Sequence, residues 1–254
     1  MQAWHSEIAI AEIGGCYPLQ MIDQKLLIKQ DAGVLTLVLN RPNKRNAIDN
    51  DLAACLQKSL DSAATDASVK VIRIQGSGKA FCAGRDVSEA PTERDLELVQ
   101  SVAMSIVSNP KLIVAAVHGW TIGAGFEWML NADIVYASEN TRFKLPEASL
   151  GVFVTGGLVT TLSASIGLTR AKALMLLGEE FGAQQAADWG LVYRVLPNEE
   201  LDAATLAACQ RLAELKPSVA AQFKRVLNLF GLENFARAIE EESNVHHTLG
   251  SEPN

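Results

Sequence analysis

Residues 112–137 read Leu112-Ile113-Val114-Ala115-Ala116-Val117-His118-Gly119-Trp120-Thr121-Ile122-Gly123-Ala124-Gly125-Phe126-Glu127-Trp128-Met129-Leu130-Asn131-Ala132-Asp133-Ile134-Val135-Tyr136-Ala137. The stretch opens on a continuous apolar run, short and rich in β-branched residues, which predicts a strand buried on both faces. A glycine-rich turn over 119–125 follows, then a short apolar helix, then a second buried strand from Asp133. A buried strand, a tight turn, a helix and another buried strand form the unit of a layered α/β fold.

The pattern extends outward in both directions. Leu26–Lys29 and Val34–Leu39 flank Asp31-Ala32-Gly33 and predict a hairpin. Residues 49–64 read as a helix with Asp49 as its cap and Leu52, Leu56 and Leu60 on one face. Val69–Ile74 is a strand running into Gly76-Ser77-Gly78, and a helix is expected near 93–107. From about 156 onward the chain reads as mostly helical, with candidate helices at 156–166, 169–177, 183–189, 199–214, 217–229 and 233–247 and a short strand at 192–195. Three units are expected: an N-terminal extension over 1–20, a core over 21–197, and a C-terminal helical region over 198–254 that forms a subunit interface through Leu227, Leu229, Phe230 and Phe235.

Composition narrows the function classes. The chain has 254 residues, 48% apolar and 20% charged, with net charge -7, so the basic surplus typical of nucleic-acid binders is missing. Cys16, Cys55, Cys82 and Cys209 show no metal-ligand spacing and are expected to be reduced thiols. The first residues lack the features of a secretory or transit segment, and no apolar run is long enough to span a bilayer. A cytoplasmic enzyme with no metal and no membrane contact is the expectation.

Several motifs can be set aside. Gln75-Gly76-Ser77-Gly78-Lys79 has Arg73 and Ala80 where a phosphate-binding loop needs glycine and Ser or Thr. No nucleophile elbow and no HExxH occurs. His118 reads as a hydrogen-bonded structural residue, and His246-His247 as solvated helix surface. What remains is two glycine-bearing turns, Gly78–Asp86 and Gly123–Glu127, whose small residues allow backbone N–H groups close to a ligand. Two such donors converging on one point would make an oxyanion hole. Each turn taken alone equally reads as tight strand-to-helix packing. Glu127 lies between Phe126 and Trp128, and Glu147 follows Pro146. A carboxyl among apolar neighbours has a raised pKa suited to acid/base work. Each also has a plainer reading, Glu127 as a charge at a helix start and Glu147 as a loop carboxylate in water.

Four segments join these pieces. Asn40-Arg41-Pro42-Asn43-Lys44-Arg45-Asn46-Ala47, Ala80-Phe81-Cys82-Ala83-Gly84-Arg85-Asp86, His118–Gly125 followed by Ala132-Asp133, and Leu145-Pro146-Glu147 followed by Leu150-Gly151 resemble, in order and spacing, the signatures of the enoyl-CoA hydratase/isomerase (crotonase) family over roughly 25–230. Family hydratases place their second catalytic glutamate 20 positions after the first, as 127 and 147 stand here.

The resemblance implies an α/β spiral of repeated strand-strand-helix turns with a C-terminal helical region, assembled as a trimer or hexamer. It implies that the backbone N–H groups of Arg85 and Ala124 hold a thioester oxygen, that Glu127 activates water, and that Glu147 delivers a proton to the α-carbon. Coenzyme A, part of the substrate and the only cofactor-like group implied, would lie along Lys44, Arg45, Ala47, Phe81, Ala83, Gly84, Asp86, Val87 and Gly123. Both glutamates favour hydration over Δ3-Δ2 isomerisation within the family. A non-catalytic scaffold relative is the rival from another class, and it has no reason to keep two glutamates beside an oxyanion hole. The chain departs from the hydratase pattern at Arg85, where a small residue is usual, and at Thr155, where a Pro-Gly pair is usual near the water site.

Overall fold

The computed structural model describes residues 25–88 and 92–250. The extension expected over 1–20, with His5 and Cys16, lies outside the described residues. The chain opens with the expected hairpin, strands β1 (Leu26–Asp31) and β2 (Val34–Leu39), closed by Ala32 and Gly33 at φ 47° and 82°. Two successive positive φ values match the right-handed twist of the flanking strands. Helix α1 (Asn50–Thr65) follows, its first turn capped by Asp49, whose carboxylate accepts from the Leu52 N–H at 2.9 Å.

The chain then repeats one move. Strand β3 (Val71–Gly76) leads to short strand β4 (Ala80–Cys82) and helix α2 (Glu93–Ser108). Strand β5 (Leu112–Val117) leads to β6 (Trp120–Ile122) and α3 (Ala124–Leu130). Strand β7 (Ile134–Ser138) leads to β8 (Arg142–Lys144) and, after a 3-10 turn at Glu147–Leu150, to α4 (Leu158–Ile166). The remaining elements are α5 (Leu168–Leu177), β9 (Phe181–Gly182), α6 (Ala183–Trp189), β10 (Arg194–Leu196), α7 (Leu201–Ala213), α8 (Pro217–Gly231) and α9 (Phe235–Gly250).

Each repeat contributes one strand to each of two sheets. The long sheet runs β1-β2-β3-β5-β7-β10 and is parallel except for the first hairpin. The short sheet runs β4-β6-β8-β9. This is the spiral of strand-strand-helix turns with a helical C-terminal region. Residues 119–125, expected as an uninterrupted turn, contain β6, and the loop expected at 78–86 contains β4. Strands of three residues show no alternation from which to read them.

The central strands of the long sheet are covered on both faces, which is why β2, β5 and β7 are largely apolar, whereas edge strand β1 is mostly exposed. Ile72, Ile113, Ala115 and Val117 face Leu52, Leu56 and Leu60 of α1 and Leu98, Val102 and Ile106 of α2. Each fully buried leucine contributes roughly 1.5–3 kcal/mol. Val71, Val114, Ala116 and Tyr136 face Leu201, Cys209 and Ala213 of α7 on the other side. Buried Lys224 fastens α8 by donating to the Ile106 carbonyl and to the Asp133 carboxylate, each at 2.9 Å.

The outer face of α8 is different. Val219, Phe223, Val226, Leu227 and Phe230 recur at helical spacing and are exposed, as is Leu229. Phe235, expected on that same interface, is instead buried, its ring against Gly157. Among the described residues no helix is long and apolar enough to cross a membrane.

Candidate active site

One wall of the site is a loop pinned by its own side chains. Asn46 sits in the left-handed region at φ 56° and is fully buried. Its carboxamide accepts from the Arg41 N–H at 2.8 Å and donates to the Ser77 and Ala80 carbonyls at 2.9 and 2.8 Å. The Arg41 guanidinium reaches Asp86 at 2.9 Å and Asp49 at 3.2 Å. The Ser88 hydroxyl and amide and the Arg41 guanidinium, all donating to Asp86, hold its carboxyl down at about 2.

Residues 45–48 then run alongside 83–86. Ala83 N–H donates to the Arg45 carbonyl at 3.0 Å, Ile48 N–H to Gly84 at 2.8 Å, and Asp86 N–H to Ile48 at 2.8 Å. In such a parallel bridge the intervening amide, that of Arg85, points away from its partner strand.

Glycines set how closely this wall meets the start of α3. A Cβ on Gly84 would lie 2.8 Å from the Ile122 carbonyl oxygen and 3.8 Å from the Ala124 nitrogen. A Cβ on Gly125 would lie 2.6 Å from that of Cys82. A Cβ on Gly123 would lie 2.5 Å from Oε1 of Glu147. The segment around Arg85, the Ala124 amide and the Glu147 carboxyl are therefore neighbours because three side chains are missing.

The two expected carboxyls are indeed together, and they are unlike each other. Glu127 is 1% exposed. Its Oε1 accepts from the Thr155 N–H at 3.1 Å and its Oε2 from the Thr155 hydroxyl at 2.8 Å, with the Gly156 N–H adding a further bond. Burial raises its pKa and these donors oppose the rise. Glu147 has less support, its own backbone amide. Its Oε2 is buried without a hydrogen-bond partner among the described residues, and burial followed by repulsion from Glu127 pushes its pKa up to about 8. The Thr155 departure thus has a definite place, with both of its donors on Glu127.

The other expected residues fall into three groups. Lys44, Arg45 and Val87 are exposed along the outer rim, with Ala83 half-buried between them and the interior. Ala47 and Gly84 are buried, forming backbone wall. The Phe81 side chain packs in the main core, and the Asp86 carboxylate is taken up by Arg41 and Ser88. The Arg85 guanidinium stands 3.5 Å from Asp95, an acid that also caps α2.

Sequence reading missed a third buried acid. Glu242 on α9 is fully buried and accepts from the Gly157 N–H at 2.7 Å and the Val159 N–H at 3.1 Å. Burial and then repulsion from Glu127 push it up to about 8 against those donors. The signal was its place in the helical period Phe235, Ala238, Glu242, where an acid occupies an apolar position.

His118 is structural, as expected, its ring 3.1 Å from the Gly78 carbonyl. His246 corrects the expectation of solvated surface: its ring nitrogen bonds the Phe153 carbonyl at 2.9 Å, while His247 stays outside near Glu93. Among the described residues no cluster of His, Cys, Asp or Glu is arranged to hold a metal ion.

An interior with two inequivalent carboxyls next to close-packed backbone amides can move protons at a bound carbonyl compound. Known proteins share both the sequence and the fold. The enoyl-CoA hydratase/isomerase family profile matches residues 29–254. A 2,3-dehydroadipyl-CoA hydratase of Escherichia coli K12 is 36% identical over 208 residues, covering 80% of this chain and 81% of that one. A 1,2-epoxyphenylacetyl-CoA isomerase of the same organism is 32% identical over 186 residues, covering 69% and 71%. The crystal structure of an enoyl-CoA hydratase from Mycobacterium avium subsp. paratuberculosis K-10 superposes with a TM-score of 0.87 at 29% identity, covering 94% of this chain and 97% of that one. With its motifs, its spiral and these relatives in agreement, the chain belongs to the enoyl-CoA hydratase/isomerase family.

Proposed function

We propose that this enzyme hydrates an α,β-unsaturated acyl-CoA thioester. The observation that carries the reading is the asymmetry of the two carboxyls. Two groups coupled this closely share their protons as a pair. Thr155 and Gly156 donate to Glu127 and favour its charged form, while Glu147 has only its own backbone amide and leaves Oε2 unpartnered among the described residues. With one proton between them, Glu147 holds it and Glu127 is the anion.

The chemistry follows. The backbone N–H groups of Arg85 and Ala124 take the charge that builds on the thioester oxygen, each contributing on the order of 3 kcal/mol at the transition state. Glu127 removes a proton from water as its oxygen bonds the β-carbon. Glu147 gives its proton to the α-carbon, and exchange with solvent returns the proton from Glu127 to Glu147. Coenzyme A lies along the rim of Lys44, Arg45 and Val87. The acyl class follows no single relative, since a hydratase and an isomerase are both close. The exposed stripe on α8 fits a trimer or hexamer; light scattering that finds a monomer at micromolar concentration would remove that part.

The test is a panel of short, long, branched, aromatic and acidic enoyl-CoA thioesters, followed by loss of the conjugated thioester absorbance. Glu127→Gln and Glu147→Gln should each lower turnover at least about 100-fold while thioester binding persists. Isomerisation has its own supporting observation, the unengaged Glu147 oxygen, which suits a single-acid proton shuttle. If Glu127→Gln loses hydration yet still moves a double bond from the 3- to the 2-position, isomerisation is the native reaction.

A further inference from the structure

Five consecutive amides link the catalytic region to the C-terminal helix. The N–H groups of Thr155 and Gly156 go to Glu127, and those of Gly157, Leu158 and Val159 go to Glu242. The division has a structural origin. Helix α4 begins at Gly157, which has no side chain to cap it, so its first N–H groups need an acceptor from elsewhere. Glu242, 85 residues from Gly157, supplies both carboxylate oxygens. Helix α9 holds the same segment at two further points: the Phe235 ring packs on Gly157, and His246 bonds the Phe153 carbonyl at 2.9 Å. Phe235, Glu242 and His246 recur at seven and four residues, so one stripe of α9 meets the whole segment 153–159.

We propose that Glu242 is a positioning residue for Glu127, fixing the stretch of backbone whose amides grip it. The inference rests on the hydration reading for its kinetic test, though not for its structural one. Moving the Gly157–Val159 amides would carry Thr155 and Gly156 with them, since they are the same stretch of chain. The titratable and charged groups about Glu242 are Glu127 on α3 and His246 on α9, with Arg85 acting on His246 and Glu147 acting on Glu127. Helix α4 presents backbone amides to it. A protonated Glu242 still accepts from these amides and adds no charge beside Glu127; without it the amides can shift and hold the Glu127 anion less well.

Two variants and two readouts test this. Glu242→Gln keeps the size of the side chain and leaves one amide facing a donor in place of an acceptor. Its pH–rate limb for Glu127 should move up by roughly one unit, because loosened donors no longer favour the anion, and turnover should fall about tenfold, because small displacements of a reacting group are costly. The Michaelis constant should stay within about twofold, since residues 44–47 and 81–88 are untouched. Glu242→Asp keeps the carboxyl but shortens the reach, so turnover should fall several-fold and the limb should move up less than in Glu242→Gln.

Infrared-detected titration of protonated carboxyls, assigned by the band lost in Glu127→Gln, should show the same upward movement in Glu242→Gln. That measurement needs no turnover, so a wild-type protein that hydrates no thioester would refute the hydration reading and leave this one under test. Wild-type turnover and an unmoved Glu127 titration in Glu242→Gln, with only a lower melting temperature, would make Glu242 a mere helix cap and overturn the proposal. Should Glu242→Gln not fold, full turnover in Glu242→Asp would overturn it equally.

Discussion

The two walls of the site are held by opposite means. On the wall of residues 41–48 and 80–88, the inward polar groups are answered: Arg41 meets Asp49 and Asp86, and Asn46 satisfies three backbone groups from an interior position. On the wall of 147–159 and α9, Glu147 and Glu242 lie buried or nearly so beside Glu127 of α3, and among the described residues none of the three has a cation in an ion pair. The first wall is ordered as a protein interior ordinarily is, with polar groups paired. The second keeps carboxyls out of water with few donors, which disfavours their charged forms and raises their pKa values. Perturbed acids of this kind mark places where chemistry outweighs stability.

The largest effect that would break the comparison lies on the first wall. Asn46→Ala leaves the Arg41 amide and the Ser77 and Ala80 carbonyls without their partner, at roughly 1 kcal/mol each. It also forces a Cβ residue without the asparagine's local bonding to remain at φ 56°. A loss of about 3 kcal/mol in urea unfolding is expected. A loss below about 1 kcal/mol would mean this wall is not held by its paired groups.

The second wall should show itself in the pH dependence of stability. Glu147 and Glu242 are each raised from 4.5 to about 8 in the folded chain. Between those values the folded state holds protons that the unfolded chain has released, so stability falls as pH rises through that window. The melting temperature should therefore drop from about pH 5 to about pH 8, and Glu147→Gln should flatten the slope. A melting temperature that stays level across that window would show the acids are charged in the folded chain after all.

Thr155→Val probes the join between that wall and catalysis. It removes the hydroxyl that donates to Glu127 at 2.8 Å and keeps the backbone amide. Hydrogen bonds to charged groups are worth more than neutral ones, so turnover should fall roughly tenfold with the Michaelis constant little changed. Unaltered turnover would show that the backbone amides suffice to hold Glu127.

The same contrast explains what the sequence disclosed. The first wall is local: Arg41, Asn46 and Asp86 belong to two neighbouring turns of the spiral, and their spacing is visible as motifs. Glu127 and Glu147 were legible for the same reason. The support for Glu127 was not, because Thr155 lies in a different segment and Glu242 on the last described helix. In the run Glu240-Glu241-Glu242, neighbouring charges hide one buried acid among exposed ones. Long strands were read from their apolar runs, whereas β4, β6, β8 and β9 are too short to carry a period.

Arg85 belongs to both walls, and its variant should have the smallest effect. Its backbone is fixed by the bridge to Ile48, so the side chain is free for another task. That side chain reaches Asp95 at 3.5 Å and is 25% exposed. An ion pair that open to solvent is worth about 0–1 kcal/mol. Arg85→Ala keeps the N–H that faces the thioester oxygen in the proposed mechanism. If the pair with Asp95 is all the guanidinium does, the variant should lose at most about 1 kcal/mol, or about 2–4 °C in melting temperature, with kinetics unchanged on every thioester. A raised Michaelis constant for all thioesters, at constant turnover, would instead place the guanidinium on a coenzyme A phosphate. A rise confined to acyl groups ending in a carboxylate would place it at the far end of the substrate, where Arg is well suited to bind that group. Either result would move Arg85 from the paired wall to the ligand and make it the one cation on the acid side of the comparison.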